Sequence, residues 1–139
     1  MSGYIPATLV RHVRERAGDV CEYCRLPQDS QEATFHVDHI QPRSADGPTS
    51  LDNLALACVT CSLRKAARVQ ARDRRTGDLT LLFHPRRDLW NQHFAFTPNW
   101  RVRGRSATGR VTIAALGMNR KPILAIRAEL AAAGRFPPG

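Results

Sequence analysis

A small α+β domain cross-linked at its centre is the fold that these 139 residues predict, on three observations. All four cysteines fall into two pairs of identical spacing, Cys21-Glu-Tyr-Cys24 and Cys58-Val-Thr-Cys61. Short apolar stretches with strand periodicity lie between and beyond these pairs, and stretches with helical periodicity lie at both ends of the chain. With 42% apolar residues the chain can bury a modest core, and domains of this size often add a metal or disulfide staple.

The elements follow in order. Residues 6–17 (PATLVRHVRERA) open with a proline suited to a first helical turn, align Leu9, Val10, Val13 and Ala17 on one face, and stop at Gly18. Arg11, Arg14 and Arg16 lie off that face, where solvent or phosphate is expected. Residues 34–38 (TFHVD) suit a short strand with Phe35 and Val37 on one side, His36 and Asp38 on the other. PRSADGPTSLDN reads as an irregular loop ending at Asn53. Residues 54–57 (LALA) form a second short strand, and SLRKAARVQARDRR reads as a helix with Ser62 as its N-cap. Past Thr76-Gly77-Asp78 the pattern predicts a strand around 79–83, a strand pair at 93–96 and 100–103, and helices near 108–118 and 121–133, ended by Gly134 and Pro137. The tail after residue 135 is expected to fray. Trp90 and Trp100 are assigned to the core, because the chain has few aromatics.

Two C-x-x-C knuckles with 33 residues between them can set four thiolates tetrahedrally around Zn²⁺, since a two-residue spacer lets both sulfurs of a tight turn face one ion. Cys21, Cys24, Cys58 and Cys61 are therefore expected to bind a structural zinc. Two disulfides and a redox pair are the competing readings; the first needs an oxidising compartment, the second a βαβ pattern that the sequence lacks. A zinc at the knuckles makes residues 25–57 a loop closed at its base.

The formal net charge is +9 and the pI about 10.7, values that point to a polyanionic partner such as DNA, RNA or an acidic membrane. Residues 1–70 carry eight basic and eight acidic side chains, residues 71–139 thirteen and four, so the whole excess lies in the second half. Nineteen of the twenty-one basic residues are arginine, the better bidentate partner for phosphate, although the codon usage of a GC-rich genome gives the same bias. No apolar run approaches the roughly 18 residues of a membrane span, and MSGYIPATLVRHVRERAG meets charges too early for a secretory signal. A cytoplasmic location without a membrane partner is the expectation.

Strand 34–38, the loop, Asn53, strand 54–57 and the helix from residue 62 make a ββα unit whose two ends the knuckles tie. The residues CEYC, HVDHIQPRS, LDNLALAC and CSLRKAAR, with Asp38-His39 followed fourteen residues later by Asn53, resemble the HNH endonuclease family of the type with a four-cysteine zinc site and a ββα-metal fold. The resemblance covers about residues 21–68, roughly a third of the chain. It implies one α+β domain over 1–139, with an HNH core at about 19–72, an N-terminal helix before it and a basic strand and helix extension at about 73–135. It also implies His39 as general base, Asp38 as a ligand of a catalytic Mg²⁺ or Mn²⁺, and Asn53 as the brace of the loop. The chemistry agrees: a neutral imidazole takes a proton from water near pH 7, and a carboxylate is a hard donor suited to those ions. The proline after His39 stops the strand, so ligand and base can sit side by side at its end. His36 is read as an ordinary strand residue. In the family the residue directly after the second knuckle is usually His or Asn and ligates the catalytic metal; here it is Ser62, a weak neutral ligand. Three outcomes stay open: Ser62 ligates, directly or through water; His36 or His84 substitutes; or the site binds nucleic acid without cutting it.

The helix from Ser62 would aim its first N–H groups at a phosphate, with Arg64 and Lys65 beside the bound anion. Arg68, Arg72, Arg74 and Arg75, and beyond them Arg86, Arg87, Arg101, Arg103, Arg105 and Arg110, are expected along a nucleic-acid backbone. The function implied is metal-dependent hydrolysis of DNA phosphodiester bonds by a monomer or homodimer, nicking or cutting both strands to leave a 5′ phosphate and a 3′ hydroxyl. The alternative is a non-catalytic zinc-knuckle module that binds DNA or RNA within a larger assembly; an RNA-processing enzyme is a third reading.

Overall fold

The computed structural model describes residues 4–138, which form a mixed α+β fold of five helices and three two-stranded antiparallel sheets. Helix α1 (Ala7–Ala17) follows Pro6 and ends at Gly18, whose φ of 62° lets the N–H groups of Gly18 and Asp19 return to the carbonyls of Glu15 and Arg14. Val13 is fully buried, with Leu9 and Ala17 packed beside it. Arg11 is exposed, but the other two arginines of this helix reach across to the following segment. Arg14 donates to the Phe35 carbonyl at 2.6 Å, and Arg16 to those of Leu51 and Leu54 at 2.8 and 2.7 Å, so α1 grips the backbone of the hairpin that follows.

Strand β1 (His36–His39) pairs with β2 (Leu54–Ala57), His36 opposite Ala57 and His39 opposite Leu54. All four residues of β2 are buried. Helix α2 (Val59–Lys65) differs from the sequence expectation at both ends. It begins before Ser62, because the Cys58 sulfur accepts the Cys61 N–H at 3.4 Å and acts as the N-cap, while the Ser62 N–H already serves the Cys58 carbonyl at 2.9 Å. It stops at Lys65, where Ala66 takes a φ of 51°, and the chain enters β3 (Gln70–Arg72), paired with β4 (Leu79–Leu81). Turn chemistry between them outweighs the helical pattern: the Asp73 carboxylate accepts from the Arg75 N–H and the Thr76 hydroxyl, and Gly77 supplies a φ of 81°.

A short helix α3 (Trp90–His93), which the sequence pattern does not predict, precedes β5, and strands β5 (Phe94–Phe96) and β6 (Val102–Gly104) and helices α4 (Ala107–Leu116) and α5 (Lys121–Ala132) fall close to their expected positions. Ser106 caps α4 by accepting the Gly109 N–H at 3.0 Å. Helix α4 lies against α2, β3, β4 and β6, so the extension packs directly on the ββα unit. Within the extension α4 crosses α3 closely, since a Cβ at Gly109 would collide with the His93 carbonyl. One contiguous apolar cluster runs from Val13 through the four cysteines to Phe94, Leu116, Ile123 and Leu130. It includes Phe136, packed edge-on against Phe96 and Trp100 at 5.1 and 5.7 Å, so the tail expected to fray is anchored by an aromatic ring. Trp90 is buried, and its indole N–H donates to the Tyr23 carbonyl at 2.8 Å. No helix among the described residues is long and apolar enough to cross a membrane.

Candidate active site and metal centre

The two knuckles converge. The sulfurs of Cys21, Cys24, Cys58 and Cys61 all lie within 4.8 Å of one another in the core, and those of Cys24 and Cys58 are 3.7 Å apart. Tetrahedral bonds of about 2.3 Å to zinc set sulfurs about 3.8 Å apart, whereas a disulfide needs about 2.05 Å; the four residues are free thiols. Backbone N–H groups of Cys24 and Cys61 point at the sulfurs of Cys21 and Cys58. Hydrogen bonds from Cys21, then Cys24 and Cys61, hold the Cys58 thiol far below its usual range, while the same contacts push Cys24 and Cys61 well up. A dication removes that conflict by letting every sulfur ionise, so the donor set fits a metal such as zinc. The surroundings agree. Arg127 is fully buried, donates to the carbonyls of Trp100 and Cys24 at 3.1 and 3.4 Å, and lies 5.5 Å over the Phe96 ring. Burial lowers its pKa and the cysteines oppose that shift, as a net negative centre of four thiolates and one dication also would.

On the ββα unit, Asp38, His39, Arg43, Ser44 and Ser62 line a cleft of about 280 Å³. His39 closes β1 and is 9% exposed; its Nε2 lies 2.8 Å from the Thr49 hydroxyl, which also accepts from Arg43 at 3.2 Å. Burial, then the Arg43 charge, lowers the His39 pKa, with Asp38 opposing, so the ring is neutral near pH 7. Asn53 is buried behind it. Its Oδ1 accepts the Gln41 N–H at 2.9 Å, its Nδ2 donates to the carbonyls of Gln41 and Pro48 at 3.0 and 2.9 Å, and its own carbonyl accepts the Ile40 N–H at 2.8 Å. These bonds close the loop onto the two residues after His39. Gly47 permits the closure, because a Cβ there would collide with the Gln41 carbonyl. Lys65, expected beside a phosphate, is instead 2% exposed and donates to the Ile40 carbonyl at 2.9 Å. Ser62 sits within α2 with its hydroxyl 2.8 Å from His36 Nδ1. His84 lies apart, lining another cleft with Phe83 and His93. The fold thus brings Asp38, His39 and Ser62 together, with His36 against Ser62 and Asn53 behind.

A knuckle, a strand ending in Asp-His, a loop braced by a buried Asn, a second strand and a knuckle that opens a helix now stand in one order. Residues 21–68 match the family model of the HNH endonuclease. That HNH segment is about a third of the chain. The chain is also similar to the Septu protein PtuA of Bacillus mycoides (strain KBAB4), 26% identical over an alignment of 112 positions that covers 73% of this chain. It spans only 15% of the length of that curated relative. No solved structure matches the chain.

The basic residues around the HNH segment divide into two sets. Arg86 is spent on the half-buried ion pair with Glu22, whose second oxygen accepts the Leu56 N–H at 2.8 Å; burial brings its pKa down to about 10. Arg110 holds Asp73 at 2.9 Å, Arg68 donates to the carbonyls of Arg64 and Ala115, and Arg72 to that of Gly77. Arg64, Arg74 and Arg75 are exposed. Arg64 belongs to the last turn of α2, where a cation complements the helix dipole, and not to the first turn as expected. Arg68, Arg72, Arg74, Arg75 and Arg110 line a second cleft of about 410 Å³ beside α4.

Thr49 and Arg43 are the site residues that sequence reasoning missed. Both sit in the irregular loop, where only Gly, Pro and Asn carried a positional signal.

Proposed function

We propose that this chain is a metal-dependent endonuclease that hydrolyses DNA phosphodiester bonds in the cleft of its HNH segment. The observation that carries the reading is the placement of a neutral, buried-edge imidazole next to a carboxylate at the end of one strand. Hydrolysis needs a base for the water, compensation of charge on the phosphate and help for the departing 3′ oxygen. With Nε2–H donated to Thr49, His39 keeps the Nδ1 lone pair for the attacking water. The Thr49 contact and the Asn53 brace fix the direction of that lone pair, which is the part of catalysis that positioning supplies. Asp38 would hold a divalent Mg²⁺ or Mn²⁺, which when bound would supply charge compensation to the phosphate and the leaving oxygen. Such ions keep several waters and take few protein ligands, so a small donor set beside Asp38 is sufficient. Exposed Arg43 meets the phosphate at the mouth. Arg74 and Arg75, with the arginines of the cleft beside α4, follow the DNA backbone without reading its sequence.

The contiguous core supports a single domain over 1–139, and four free thiols suited to zinc support a reducing, cytoplasmic setting. A non-catalytic module that binds nucleic acid remains the second reading, favoured by Ser62 in the place of a stronger ligand. End-labelled duplex DNA separates the two. Hydrolysis requires that zinc-loaded protein with Mg²⁺ or Mn²⁺ releases fragments ending in 5′ phosphate and 3′ hydroxyl, and that His39→Ala binds the duplex but does not cut it. A wild type that shifts the duplex on a gel and leaves it whole with either ion would establish the binding module instead.

A further inference from the structure

We infer that His36 supplies the nitrogen ligand of the catalytic cation, in the place that Ser62 leaves open. The inference rests on the nuclease reading above and goes beyond it by naming the missing donor. Ser62 is where the chain departs from the pattern it resembles, and a neutral hydroxyl binds a divalent ion weakly. The structure puts an imidazole at that place from the opposite element: His36 Nδ1 lies 2.8 Å from the Ser62 hydroxyl, which itself lines the cleft with Asp38 and His39. His36 and Asp38 are two positions apart on β1, so their side chains leave the strand on the same side. The strand offers an oxygen and a nitrogen donor about 7 Å apart at the backbone, a span that two side chains converging on one ion can close. His36 is half-buried and its ring is held by Ser62; the serine thus serves as the hydrogen-bonding support that a ligating histidine ordinarily has. A neutral imidazole also shifts preference toward Mn²⁺ over Mg²⁺, relative to an all-oxygen site.

The test is Mn²⁺ binding by the zinc-loaded protein, read by the loss of the free-ion EPR signal and by pulsed-EPR detection of a nitrogen nucleus coupled to the bound ion. Wild type is compared with Asp38→Ala, His36→Ala, His36→Gln, Ser62→Ala and the double variant His36→Ala with Ser62→His. Glutamine keeps a hydrogen bond to Ser62 without an imidazole, so it guards against a purely structural effect of the alanine. Both His36 variants should weaken Mn²⁺ binding by about tenfold or more and abolish the nitrogen coupling, while Ser62→Ala, which removes only the support of the ring, should weaken binding by about tenfold and keep the coupling. The double variant should regain both. Wild-type affinity or a surviving nitrogen coupling in the His36 variants overturns the inference, as does loss of binding in Ser62→Ala from a wild type that shows no nitrogen coupling. If Asp38→Ala abolishes binding while the His36 variants do not, only the role of His36 fails. A wild type that binds no Mn²⁺ overturns the inference and the metal-dependent reading together.

Discussion

In the proposed reaction Thr49 is the residue that aims His39, because its hydroxyl lies 2.8 Å from Nε2 and leaves Nδ1 for water. Thr49→Val keeps the shape and removes the hydroxyl. Its single-turnover cleavage rate should fall on the order of tenfold to hundredfold, as misorientation of a catalytic group does, with the melting temperature little changed; an unchanged rate would take Thr49 out of the site. The spacing of Asp38, His39 and Asn53 was legible in the sequence, since each occupies a fixed place relative to the knuckles. Thr49 and Arg43 were not, because a residue in an irregular loop acquires its partner only when the loop closes. Lys65 misled for a physical reason: a lysine near the start of a helix from Ser62 reads as the partner of a bound phosphate, yet its buried ammonium satisfies the carbonyls of His39 and Ile40 at the end of β1. Arg14 and Arg16 of α1 misled in a similar way, their carbonyl partners lying more than twenty residues away along the chain.

Among the elements, α4 is the one that joins the basic extension to the HNH segment, and Gly109 sets how near it comes to α3 at His93. In an exposed helix Gly→Ala stabilises by restricting the unfolded chain; here the added methyl meets the His93 carbonyl. Gly109→Ala should therefore destabilise by about 1–3 kcal/mol, the usual scale of overpacking, as a lowered urea midpoint without a changed slope. A raised midpoint would mean that α4 stands off from His93. Apolar periodicity gave α1, α4, α5 and the ββ pair near their true bounds. It failed at residues 62–75, where the last turn of α2, a positive φ at Ala66 and the Asp73 turn produce a hairpin instead of one long helix. The Asp73 side chain needs Thr76 and Arg110 together to make that turn, and Arg110 arrives from a helix that local pattern cannot place.

At the scale of the whole molecule, the four cysteines bring residues from both ends of the HNH segment to one buried cluster that fits a metal, the kind of staple on which a small domain is expected to depend. Stripping the metal with a strong chelator should abolish the cooperative thermal transition and most of the far-UV signal, because binding energy at such sites is folding energy; a metal-free protein that melts like the loaded one would contradict this. The Asp73–Arg110 pair links the extension to pH. The Arg110 guanidinium holds the Asp73 carboxyl down to about 2 from an ordinary 3.8. A depressed folded-state value stabilises above the unfolded value and is lost as pH falls through the folded one. The difference in melting temperature between wild type and Asp73→Asn should be complete above about pH 4 and shrink toward pH 2; a constant difference would remove the ion pair from the acid response. Metal-dependent strand cleavage through His39 is the central proposal. Its most direct test is the conversion of supercoiled plasmid to nicked or linear form by zinc-loaded protein, with Mn²⁺ or Mg²⁺ present or omitted, beside His39→Ala. Conversion that requires the added ion and falls by about a hundredfold or more in the variant is the expected result. Plasmid that stays supercoiled with the wild type, or is nicked equally by His39→Ala, would contradict it.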